Sequence, residues 1–84
     1  MTWTASLARP LKPRDHDPLR TLADARDYML GLPASVAEYE AWQHAGKLLL
    51  AAAENPTRAA IDDATRQIEL ALFTTGRQEM PADG

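Results

Sequence analysis

The stretch from Ser35 to Glu54 constrains the fold more than any other part of the chain. At about 100° per residue, Trp42, Leu49, Ala45, Ala52, Ala53, Gly46, Leu48, Ala41, Tyr39 and Leu50 fall on one side of a helix. That side spans roughly 200°, twice the stripe of an ordinary surface helix. The remaining arc holds Glu40, Gln43, His44, Lys47 and Glu54. Such a helix is central: more than one neighbour covers it, and water reaches one strip.

Local signals place the elements around it. Thr21-Leu22-Ala23-Asp24 has the spacing of a capping box and predicts a first helix of about ten residues. (Asp17 followed by Pro18 is a second start, one turn earlier.) Leu22, Ala25, Tyr28, Met29 and Leu32 share its inner face, Asp24 and Asp27 point away, and Gly31 with Pro33 ends it. A helix this short is unstable alone, so packing holds it. Ser35-Val36-Ala37-Glu38 reads as a second capping box and predicts that the central helix opens there and runs to about Ala53. Asn55 with Pro56 at the first helical position, or Thr57 one step later, then starts a third helix reaching Thr75. Ile61, Ala64, Ile68, Leu72 and Thr75 form its stripe, with Ala71 beside it and Gly76 as the stop. Leu70 and Phe73 lie off that stripe by roughly 180° and 120°. Either the N-terminal arm, through Trp3 or Leu7, or a second molecule covers them. The facing residues Ala41, Ala45, Gly46, Ala52, Ala64 and Ala71 are small and allow close helix approach.

The expected fold class is therefore all-α. It is a three-helix domain over residues 21–77, with a short first helix and two long antiparallel ones, preceded by an extended arm over residues 1–20. Pro10, Pro13 and Pro18 exclude a long helix from that arm. The polar cluster Arg14-Asp15-His16-Asp17 separates two extended pieces, so the arm is either a short β-hairpin with edge strands or irregular. Residues 78–84 read as a disordered tail.

A chain of 84 residues supports one small, marginally stable domain. It contains no cysteine, which removes disulfides and thiolate metal ligands. The longest apolar run, Leu48 to Ala53, falls far short of the roughly 18 residues of a membrane span. No basic segment followed by an apolar run opens the chain, so the expected location is the cytoplasm.

The net charge of -3 is unevenly placed. Arg9, Lys12 and Arg14 face no acid within the first fourteen residues, while the rest carries twelve acids against six Lys and Arg. A basic arm on an acidic body suits an anionic partner, or it folds onto its own acidic helices.

Reactive constellations are sparse. Glu40 and His44 stand four apart on one face, but a metal site needs three or four ligands, and His16, Asp15 and Asp17 show no matching spacing. The Glu-x-x-His pattern of carboxylate di-iron bundles is missing. Ser6 and Ser35 are the only serines; Ser35 is assigned to a cap and neither sits in a nucleophile elbow. Asp62 and Asp63 diverge by about 100° on a helix and do not share a site. There is no glycine-rich phosphate loop. These residues predict neither catalysis nor a cofactor. The second and third helices can imitate a helix-turn-helix with the arm in a minor groove. Asp62 and Asp63 in the reading half oppose that arrangement through phosphate repulsion. Trp42 and Tyr39 are expected in the core.

The run from Arg20 to Arg77, about two thirds of the chain, resembles a group of short uncharacterised alphaproteobacterial proteins. The resemblance rests on Arg20-Thr21-Leu22-Ala23-Asp24-Ala25, Gly31-Leu32-Pro33, Trp42-Gln43-His44-Ala45, Leu48 to Ala53, and Ala64 to Leu72. It implies a bacterial, cytoplasmic origin and brings no activity, ligand or functional residue. The expected role is a non-catalytic protein-interaction or assembly module, self-association included, with Leu70 and Phe73 as the contact patch. The alternative is a small DNA-binding regulator using Arg9, Lys12 and Arg14.

Overall fold

The computed structural model describes residues 2–14 and 16–76. The expected tail, residues 78–84, lies outside the described residues. The chain is mostly helical and carries a short two-stranded antiparallel sheet near its N-terminus. Strand β1 is Ser6–Leu11 and β2 is Leu19–Thr21. Helices α1 (Leu22–Leu30), α2 (Ala34–Ala37), α3 (Glu40–Glu54) and α4 (Arg58–Thr74) follow. Of the two readings of the arm, the paired one holds. All-α is thus a near description of the fold: it omits the sheet, and the expected three helices are four, because the one-turn α2 stands apart from α3.

The sheet has an irregular register. Ser6 pairs with Thr21 and Leu11 with Leu19, so β1 carries extra residues between the two pairs. A bulge of this kind accommodates Pro10, which has no N–H to give a ladder. Leu7 and Leu11 still reach the same buried side, and Leu19 on β2 is fully buried beside them.

The elements close into a ring. Helix α1 packs on α3, α3 on α4, α4 on β1, β1 on β2, and β2 returns to α1. One apolar core fills the ring: Leu7, Leu11 and Leu19 from the sheet, Leu22, Ala25 and Tyr28 from α1, Trp42, Ala45 and Leu49 from α3, and Ala64, Ile68 and Leu72 from α4, among others. Helix α3 is flanked by α1 and α4 as the wide apolar arc requires. The arm packs on α4. Trp42 is buried and its indole N–H donates to the Thr75 hydroxyl at 3.4 Å. Tyr28 lies between Trp42 and His16, with ring centroids 6.0 Å and 5.3 Å away.

Backbone groups at helix ends are closed by distant segments. The Thr21 hydroxyl accepts from the Asp24 N–H at 3.1 Å, and the Asp24 carboxylate accepts from the Thr21 N–H at 3.2 Å and the Arg20 N–H at 3.0 Å. This is the expected capping box. The next two donors of the α1 first turn are taken by the arm: Leu22 N–H donates to Ala5 C=O at 2.9 Å and Ala23 N–H to Trp3 C=O at 2.8 Å. Thr2 N–H donates to Ala53 C=O at 2.7 Å, satisfying a carbonyl at the α3 C-terminus. Thr57 caps α4 by accepting from Ala60 N–H, the second of the two expected starts. Gly76 follows α4 with φ of 70°, the left-handed region that glycine enters without strain.

The second capping box does not form. Ser35 sits inside the one-turn α2, whose N-terminal flank is Pro33 with no side-chain cap. Helix α3 starts afresh at Glu40 after an extended Tyr39, whose carbonyl accepts from Trp42 and Gln43 N–H. Packing explains the break. On one continuous helix Val36 would sit about 120° from Trp42, on the wet strip; the break returns Val36 to a partly buried place on the core. The break also leaves Tyr39 exposed, against the expectation of a core residue, and Leu50 at the rim of the arc is exposed as well.

Candidate functional site

Helix α4 has two working faces. Its inner face, with Ala64, Thr65, Ile68, Ala71 and Leu72, is fully buried against α3 and β1. Thr65 is the polar member of that face. Its hydroxyl donates to Ile61 C=O at 2.8 Å and accepts from Ala8 N–H at 3.0 Å, fastening β1 to the helix. Thr65 was not singled out from the sequence. The sequence carries its signal: a hydroxyl four residues after Ile61 and three before Ile68, within the length of an apolar stripe.

The outer face carries Leu70 and Phe73, exposed at 52% and 62%. Their removal from the stripe was legible in the helical period. The arm does not cover them. Leu7 is buried in the core on the opposite flank of α4, and Trp3 is partly buried with the Arg26 guanidinium 4.9 Å above its ring. Asp63 and Arg66 lie on the same outer face and are exposed. Beside them, His44 and Leu48 of α3 and Gln67 of α4 line a shallow groove between the two long helices. Gln67 donates its side-chain N–H to Ala41 C=O at 3.2 Å, so the groove floor is tied down.

The cations of the arm have separate fates. Arg9, on β1, pairs with Glu69 on α4, so one of the three charges folds onto the chain's own acidic helix. Lys12 and Arg14 follow β1 and are exposed. The second ion pair among the described residues joins the neighbours Arg26 and Asp27 at 3.1 Å. Both pairs are solvent-exposed, where such contacts contribute little.

Glu40 and His44 are exposed on α3, and among the described residues no group of three or more His, Asp or Glu side chains gathers. Asp62 and Asp63 diverge: Asp62 borders a small depression with Ser6, Leu7 and Arg58, while Asp63 faces the α3–α4 groove. Asp24 has its carboxyl held below the ordinary range. The Arg20 N–H lowers it, partial burial opposes the shift, and the Thr21 N–H, the Thr21 hydroxyl and the His16 charge lower it further. Its surroundings are those of a helix cap.

No helix among the described residues is long and apolar enough to cross a membrane. No family model, curated protein or solved structure matches the chain.

Proposed function

We propose that this protein is a non-catalytic interaction or assembly module whose contact surface is the outer face of α4 around Leu70 and Phe73. One observation supports the reading. Helix α4 buries a complete apolar stripe inside its own domain and still carries two large apolar side chains, three residues apart, in water. A surface helix has no packing use for that second patch, and exposed apolar patches rimmed by polar residues mark interfaces. Asp63 and Arg66 border the two side chains on the N-terminal side of the same face.

The test is Phe73→Asp. Its side chain is exposed, so the domain keeps its helical circular dichroism. Sedimentation or light scattering at high protein concentration reads association, with the wild type associating and Phe73→Asp not. An associating wild type whose stoichiometry is untouched by Phe73→Asp would remove this face from the interface.

A further inference from the structure

We infer that the partner on this face is a second copy of the same chain, docked antiparallel along α4 about a two-fold axis between Asp63 and Arg66. This rests on the interaction-module reading above and fixes its occupant and register.

The outer face is a short heptad seam. Ala59, Asp63, Arg66, Leu70 and Phe73 are spaced four, three, four and three residues apart, and all five are exposed. That is the spacing of the inner positions of a coiled coil, two heptads long. The buried stripe of α4 occupies the other side of the helix, so the seam is free along its length. Two opposite charges stand at its centre, three residues apart. In a two-fold interface the same patch meets itself, residue i facing j and j facing i. With α4 antiparallel to its copy, Asp63 faces Arg66 of the second copy and Arg66 faces Asp63, giving two identical ion pairs. In the same register Leu70 lies on the second copy's Ala59, large on small. Phe73 lies on Pro56, the exposed residue that leads into α4.

Other arrangements lose this match. Parallel pairing sets Asp63 against Asp63 and Arg66 against Arg66. Sliding the antiparallel pair by one heptad places Asp63 opposite Phe73 and Arg66 opposite Leu70, desolvating both charges without partners. Sliding it the other way sets Asp63 against Ala59 and Arg66 against Pro56, and the ion pairs are lost again. Sliding by two heptads leaves at most roughly two turns of α4 in overlap. Charge complementarity therefore selects one register. The seam is shorter than a standard interface, so the dimer is weak and salt-sensitive.

Two charge-reversal variants and two cysteine variants test the register by sedimentation equilibrium at low salt. Asp63→Arg alone and Arg66→Asp alone each place like charges across the axis and should weaken dimerisation by at least about tenfold. An equimolar mixture of the two should recover a heterodimer of wild-type strength, because one chain then presents a pair of arginines to a pair of aspartates on the other. The chain has no cysteine of its own. Ala59→Cys mixed with Leu70→Cys should therefore form a disulfide-linked heterodimer under a mild added oxidant, and neither variant should cross-link with itself. Self-linking of Leu70→Cys would overturn the antiparallel register. So would wild-type dimerisation by both charge reversals. Either result with Phe73→Asp still monomeric leaves the contact face standing and sinks the register alone. A wild type that stays monomeric at millimolar concentration sinks the second-copy occupant.

Discussion

The Ala8 N–H and the Thr65 hydroxyl meet at 3.0 Å across 57 residues of sequence, in a contact where the threonine is wholly buried. This is the polar clasp between the strand that opens the fold and the helix that closes it. Thr65→Val keeps the shape and removes the acceptor, leaving the Ala8 N–H unsatisfied at a partly buried site. Stability should fall by about 1–3 kcal/mol, read as a lower urea midpoint with unchanged slope. Thr65→Ser should recover most of it.

Helix caps give a paired test. Thr21→Ala and Thr57→Ala each remove a side-chain acceptor that the structure uses, and each should cost about 1 kcal/mol. Ser35→Ala should change stability by less than about 0.5 kcal/mol, because Ser35 caps nothing. Thermal melts of the three variants side by side decide the matter. A Ser35→Ala loss as large as the others would restore the continuous central helix.

Asp24 gives the fold an acid-sensitive contact. Its carboxyl is lowered in the folded state, so it contributes stability above its unfolded value near 3.8. That contribution disappears as pH falls through the folded value. Asp24→Asn should therefore destabilise the protein at pH 7, and the gap to wild type should shrink steadily below pH 3.8. Urea titrations at neutral pH, near the unfolded value and well below it measure the gap; a constant difference would disprove the assignment.

Leu70 and Leu72 are two residues apart and should respond in opposite ways. Leu70 is exposed, so Leu70→Asp should leave monomer stability within about 0.5 kcal/mol of wild type. Leu72 is fully buried, and Leu72→Asp strands an unpaired carboxylate in the core. That variant should unfold, as circular dichroism at room temperature will show.

The α3–α4 contact tolerates no added bulk. Ala45 and Ala64 are fully buried at the core. Ala64→Leu should cost about 1–3 kcal/mol through overpacking, and Ala59→Leu, on the exposed face of the same helix, should leave monomer stability within about 0.5 kcal/mol of wild type. Denaturant melts of the two variants give the comparison.

What could be read ahead of the structure was what is local or periodic. The Thr21–Asp24 box spans one turn and forms as its spacing implies. Trp42, Ala45, Leu49, Ala52 and Ala53 repeat with the helical period and are buried together. The off-stripe position of Leu70 and Phe73 is likewise a matter of angle alone. The misreadings depend on competition between distant parts. Ser35 and Glu38 have the right spacing, yet the helix breaks at Tyr39 and Val36 turns partly onto the core, a placement that depends on residues far away in sequence. The strands were half-visible because Pro10 and Pro13 speak against a ladder, while the burial of Leu7 and Leu11 on the α4 side, and of Leu19 beside α1, is settled only by the closed ring. Thr65 was missed because its partner lies on another element. The proposed pairing of Asp63 with Arg66 across an axis needs the arm to leave the outer face of α4 uncovered, which the helical period alone does not decide.

Strand β1 docks on α4, the last helix of the fold, and this sets the timetable of synthesis. Leu7 and Leu11 are made early, long before α4, the helix their strand packs on, has been translated. The nascent chain must carry an uncovered leucine cluster until Ile68 and Leu72 leave the exit tunnel. Contacts of such long sequence separation slow folding and expose the growing chain to aggregation.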